Sequence, residues 1–191
     1  MAIKIQKGQN TQLDAGLTQI EVGLGWNPRV GAGEAFDLDA SCFMLAANGR
    51  IRSDSDVIFY NQQESTCGSV KHSGDDRTGS QSDGGDDESI RVNLPTIPSD
   101  VVKLVFVATI YDALKRGQNF GMVDDAYMRV VDGVANEELV RFELTEDACL
   151  EQSLIFGELY KRNGAWKFRA LGQAFDGDLG ALARQYGAAV E

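Results

Sequence analysis

Between Gly74 and Glu88 the chain gathers six acidic residues, Asp75, Asp76, Asp83, Asp86, Asp87 and Glu88, with Arg77 the one basic residue among them. Gly79, Gly84 and Gly85 loosen the same stretch. So much like charge on a short segment repels itself unless it is neutralised. Solvent and salt do this while the segment stays extended. A hard cation does it when carboxylates and carbonyls converge at oxygen–metal distances of about 2.3–2.6 Å. A second acidic feature lies upstream. Asp37 and Asp39 are one strand-step apart in an alternating segment, so both side chains leave one face while Phe36, Leu38 and Ala40 take the other. Such a pair is a bite for a cation or a repulsion that solvent must relieve. Asn61, at the end of the apolar run Val57 to Tyr60, adds an amide oxygen suited to a calcium shell.

The donor chemistry narrows the ion. Hard oxygens without a contributing Cys or His favour calcium over zinc, copper or iron. The density of acids exceeds what magnesium normally uses, because magnesium keeps more of its water. Neither half of the acidic segment follows the EF-hand pattern of alternating acids, central Gly and terminal Glu, so the site must have another architecture. The candidate calcium ligands are Asp37, Asp39, Asn61, Asp75, Asp76, Asp83, Asp86, Asp87 and Glu88. Other chemistries find less support. His72 is the single histidine, so a Ser-His-Asp or Cys-His arrangement would have to be built on it alone, with Cys67 the nearest thiol. It is expected as a polar residue at a loop edge. Cys42, on the apolar face with Phe36 and Leu38, reads as core, as do Trp26 and Trp166. No Gly-rich phosphate loop opens a helix.

The elements that must position these residues are mostly strands. Period-two alternation marks Ile20 to Trp26, Phe36 to Met44 and Ile90 to Leu94, and Val57 to Tyr60 is a short apolar run. Val101 to Tyr111 is rich in β-branched and aromatic residues and reads as a central strand buried on both faces. Further strands fit 127–131, 139–144, 154–161 and 165–171. Asn48-Gly49, Asp132-Gly133 and Asn163-Gly164 are placed as hairpin turns with both central residues at positive φ. Thr145 to Ala148 reads as a turn of helix, and Asp178 to Tyr186 as an amphipathic C-terminal helix. Nine strands and few helical patterns predict an all-β fold, a sandwich of two antiparallel sheets with few short helices. With no repeat or linker, residues 1–191 are expected to form one domain.

A net charge of −11 over 191 residues argues against nucleic acid as a partner, since a phosphate backbone wants a basic face. No window approaches the roughly 18 apolar residues that span a bilayer, so membrane insertion is not expected. The first residues lack a signal-peptide pattern, and three widely spaced cysteines suggest no disulfide framework. The expected compartment is the cytoplasm.

Several segments together now point to a family. Gly-Leu-Gly-Trp (23–26), Phe-Asp-Leu-Asp-Ala-Ser (36–41), Phe-Tyr-Asn (59–61), Gly-Asp-Asp-Arg-Thr-Gly (74–79), Gly-Asp-Asp-Glu (85–88), Phe-Gly-Glu-Leu-Tyr (156–160) and Trp-Lys-Phe-Arg-Ala (166–170) resemble the hallmark segments of the TerD family of tellurium-resistance and stress proteins. The resemblance runs in order along nearly the whole chain. It implies a two-sheet sandwich, calcium held by the acidic segments, and a role in tellurite resistance beside other proteins of that stress system. The chain departs from the family pattern at Asp76, where Asn is commoner, and in a Ser80–Gly85 connection longer by two residues. Three function classes stay open. The first, favoured, is a non-catalytic calcium-binding sensor or scaffold, whose net charge falls to roughly −7 if two ions bind. The second is a metal-dependent hydrolase on the same carboxylates, for which no residue nominates itself as base. The third is a metal-free interaction domain with a solvated acidic loop.

Overall fold

The computed structural model describes residues 3–4, 7–14, 16–27, 33–79, 85–144 and 150–189. Asp83, Cys149 and the helical turn expected at Thr145 to Ala148 lie outside the described residues. Alternating segments pair into two six-stranded sheets. The first runs β1 (Ile3–Lys4), β10 (Glu137–Glu143), β9 (Tyr127–Asp132), β3 (Gln19–Gly25), β7 (Glu88–Asn93), β6 (Val70–His72). The second runs β2 (Asn10–Gln12), β12 (Ala165–Phe175), β11 (Ser153–Arg162), β8 (Val101–Ile110), β4 (Leu38–Ala46), β5 (Val57–Ile58). Neighbours are antiparallel save for the short β1, which lies parallel to β10.

The expected sandwich is what forms. Ile20, Val22 and Leu24 of β3 face Leu38, Ala40, Cys42 and Met44 of β4 and Leu104, Phe106 and Ala108 of β8 in one continuous core. On the outward side of the second sheet, Phe43, Leu45, Val105 and Val107 are covered by helix α2 (Leu179–Gln185) through Leu182 and Ala183. β4 and β8 are therefore buried on both faces, which is why 101–110 is a run of apolar residues and not an alternation. Asp178 starts α2 as expected of an N-cap, accepting from the Ala181 N–H at 2.8 Å. No helix among the described residues is long and apolar enough to cross a membrane.

Three short strands, β1, β2 and β6, escape the periodic signal because two or three residues hold too little of it. The turns divide. Asn163 and Gly164 both take positive φ, 53° and 80°. At Asn48-Gly49 only Gly49 does, while the Asn48 side chain accepts from the Arg50 N–H at 3.0 Å. At Asp132-Gly133 neither does, which corrects the expected two-residue hairpin. The loop there is longer: Asn136 supplies the left-handed residue, and the Asp132 carboxylate takes the N–H groups of Val134 and Ala135.

The Gly-x-Gly of β3 has a packing reason. A Cβ on Gly23 would lie 1.9 Å from a carboxylate oxygen of Asp86, and one on Gly25 would lie 2.5 Å from the Tyr127 ring. The 85–88 segment thus lies directly on this strand. Gly23→Ala is expected to push Asp86 aside and to destabilise the fold by about 1–3 kcal/mol in urea unfolding. Unchanged stability would mean that Asp86 is not seated on β3.

Candidate metal centre

The site is built on a gap at the edge of a strand. β5 pairs with β4 only at Cys42 and Phe43. The peptide groups of Ala40, further along, are met instead by two inward-pointing side chains of the opposite sheet. Glu88 Oε2 accepts from the Ala40 N–H at 2.7 Å, and His72 Nε2 lies 3.0 Å from the Ala40 carbonyl oxygen. His72 Nδ1 accepts from the Gly74 N–H at 3.0 Å, so the ring proton belongs on Nε2 and is donated to Ala40. The second oxygen of Glu88 accepts from the Asp76 N–H at 3.2 Å. Both side chains are 0% exposed and lie 3.4 Å apart. They tie the strand bearing Asp39 to the loop bearing Asp75. The expectation that His72 is a loop-edge residue is corrected: it ends β6 and is buried.

Held in this way, Asp37, Asp39 and Asp75 each place a carboxylate oxygen within 4.8 Å of the others. Asp37 and Asp39 are 8% and 3% exposed, whereas Asp75 lies open to solvent. Two arginines stand at the rim. Arg77 Nε reaches Asp75 at 3.0 Å, and Arg116, from helix α1 (Ala113–Arg116), lies 3.8 Å from Asp37 and 3.0 Å from Glu34. Burial, with Glu88, Asp37 and Asp75 nearby, pushes Asp39 up to about 8. Burial and Asp75 push Asp37 up to about 6, against the opposing pull of Arg116. Burial and then Asp39 also raise the neighbouring Tyr60 phenol. Negative charge is crowded here in excess of its local compensation, on hard oxygen donors. That is the chemistry of a site for a hard cation.

Of the other candidates, Asp76, Asp86, Asp87 and Glu88 each accept hydrogen bonds from protein donors. Asp76 is buried, and its Oδ1 accepts from the Thr78 N–H at 3.0 Å and lies 3.2 Å from the Thr78 hydroxyl, closing a turn. Asp86 meets Arg129 Nε at 2.8 Å and the Tyr127 hydroxyl at 3.1 Å on the outer face of the first sheet. Asp87 accepts from the Trp26 N–H at 2.9 Å. Glu88 sits behind the triad as the strap just described. Asn61 is exposed in the turn bracketed by the Phe59–Gln62 bridge. Cys67 lies beside Ser65 and Ser69, 3.4 and 3.0 Å away, and His72 beside Ala40, Gly74 and Glu88, so the Cys–His alternative loses its geometry. The residues that sequence reasoning missed are Arg116, Arg129 and the structural role of His72. Val70-Lys71-His72 does alternate, but over too few residues to be told from a loop.

Two expectations follow from this electrostatic arrangement. Asp37 and Asp39 bind protons more tightly folded than unfolded, so their contribution is full near pH 4 and is lost as pH rises through about 6 and then 8. In chelator, Asp39→Asn should therefore exceed wild type in stability at pH 8.5 and lose that advantage progressively as pH falls toward 4, read by urea unfolding at each pH; no advantage at pH 8.5 would refute the crowding. Glu88→Ala leaves the Ala40 and Asp76 N–H groups without their carboxylate, and should cost roughly 1–3 kcal/mol for each donor. A loss below about 1 kcal/mol would show the strap to be dispensable.

Comparison with known proteins agrees with the sequence motifs. Residues 1–186 match the TerD domain. The chain is 48% identical over 190 residues to Tellurium resistance protein TerD of Serratia marcescens, covering 98% of each chain. It is 47% identical over 191 residues to General stress protein 16U of Bacillus subtilis (strain 168), again covering 98% of each. A solved structure of a homologue of telluride resistance protein (TerD) from Streptomyces coelicolor A3(2) superposes with a TM-score of 0.75 at 23% identity, over 91% of this chain and 99% of that one, and so shares the fold. On these grounds the chain belongs to the TerD family.

Proposed function

We propose that this chain is a non-catalytic calcium-binding protein of tellurium resistance and stress response, acting in the cytoplasm as a sensor or scaffold. The observation that carries the reading is the convergence of Asp37, Asp39 and Asp75, with two of the three carboxylates buried. Burying like charges without a matching cation is costly, and a divalent ion is the simplest group that reverses the cost. Asp37, Asp39 and Asp75 would hold it; the ion would supply positive charge, and carbonyls or water would complete its shell. Bound there, calcium would couple the loop bearing Asp75 to β4 and alter the surface charge that other proteins of the same system meet. The names of the Serratia and Bacillus relatives support the resistance and stress role. The free thiols of Cys42 and Cys67 accord with a reducing compartment. A non-catalytic role is supported by His72, the single histidine, whose two ring nitrogens are both committed to backbone groups.

Calorimetric titration with calcium should give saturable binding, and calcium at about a hundred times its Kd should stabilise the fold by about 2.7 kcal/mol. Near pH 7, where Asp39 is largely protonated, binding should release close to one proton, visible as a dependence of the heat on buffer ionisation. Asp37→Asn with Asp39→Asn should abolish both effects. If calcium neither binds saturably nor raises the melting temperature, the metal reading fails. Phosphoester turnover that a chelator removes would replace it with the hydrolase.

A further inference from the structure

Helix α2 covers only part of the outward face of the second sheet. Beside it, toward the end of β8, lies a groove of about 900 Å³, near the upper end of the ~300–1,000 Å³ typical of binding sites. Leu179 and Ala183 of α2 form one wall, Phe59 and Tyr60 line it from the turn after β5, and Thr109 contributes from β8. At the α1 end Tyr111 and Leu114, 44% and 75% exposed, extend the apolar surface outward. An open apolar channel with an apolar rim suits a chain that enters and leaves, more than a ligand enclosed on all sides.

Its charges are one-sided. Asp54, Asp112 and Asp178 line the groove, against Lys115, which is already paired with Asp112 at 3.1 Å. Asp54 and Asp178 accept backbone N–H groups, of Ala189 at 3.0 Å and Ala181 at 2.8 Å, which orient their charge without cancelling it. Gln152 adds an acceptor: its Nε2 donates to the Leu150 carbonyl, while its Oε1 is buried with no hydrogen-bond partner. Apolar walls, an acidic lining and a spare acceptor call for a donor-bearing cation carried on an apolar body.

We propose that this groove binds a segment of a partner protein in which lysine or arginine alternates with large apolar residues. A second copy of this chain, at net charge −11, has the wrong charge for the role. The site is separate in purpose from the calcium reading, and is tested in chelator so that the two fail independently. The probe is a short fluorescein-labelled peptide of alternating leucine and lysine, followed by anisotropy with the full-length protein. Saturable binding is expected, with amide shift changes centred on Thr109, Leu114 and Ala183. Asp54→Asn with Asp112→Asn should weaken it by roughly tenfold. Both changes keep a side-chain oxygen, and asparagine tolerates the left-handed backbone of residue 112 (φ 52°), so the fold is retained. Leucine–glutamate and serine–lysine peptides should not bind measurably. Failure of the leucine–lysine peptide to saturate, equal affinity for the double variant, equal binding of the serine–lysine peptide, or displacement by spermine at matching concentration would each overturn the proposal.

Discussion

The peptide unit of Ala40 joins the two sheets by polar contact, and the acidic centre depends on that junction. Strand edges expose N–H and C=O groups that must be satisfied. At this point β5 has stopped, and Glu88 and His72 reach across from β7 and β6 to take the place of a strand. Since both side chains are buried, the link is rigid and holds Asp39 in register with the loop that follows β6. Without it, three carboxylates would relax away from one another. With it, they stay close, and burial raises the affinity of Asp37 and Asp39 for protons, or for whatever cation replaces them.

The acidic run is thus two things that composition cannot separate. Asp86 and Asp87 serve the fold, bound to Arg129, Tyr127 and the Trp26 N–H, and Asp76 closes its own turn. Each has donors that stabilise its charge without a metal. Asp75 points the other way, toward Asp37 and Asp39 at the start of β4. The paired glycines of β3 belong to the first group, because they clear the surface on which Asp86 and Tyr127 lie.

Much of this was legible in the sequence, and what was not has identifiable causes. Alternation at Phe36 to Met44 placed Asp37 and Asp39 on one face, opposite the core, and they lie together. The run at 101–110 announced its double burial, and the C-terminal helix was legible as well, but that this helix, some 70 residues downstream, is what covers the run is visible only once folded. Which acids meet which arginines is a long-range matter: Arg129 and Arg116 approach Asp86 and Asp37 from distant elements. His72 was misplaced because a three-residue strand carries little periodicity, and because its partner is a backbone carbonyl, which leaves no trace in side-chain spacing.

The most direct measurement of the central claim is a crystal structure grown in calcium, with anomalous scattering used to locate the ion. A peak bound by carboxylate oxygens of Asp37, Asp39 and Asp75 is the predicted result. Its absence there, or calcium found only among residues 83–87, would contradict the account.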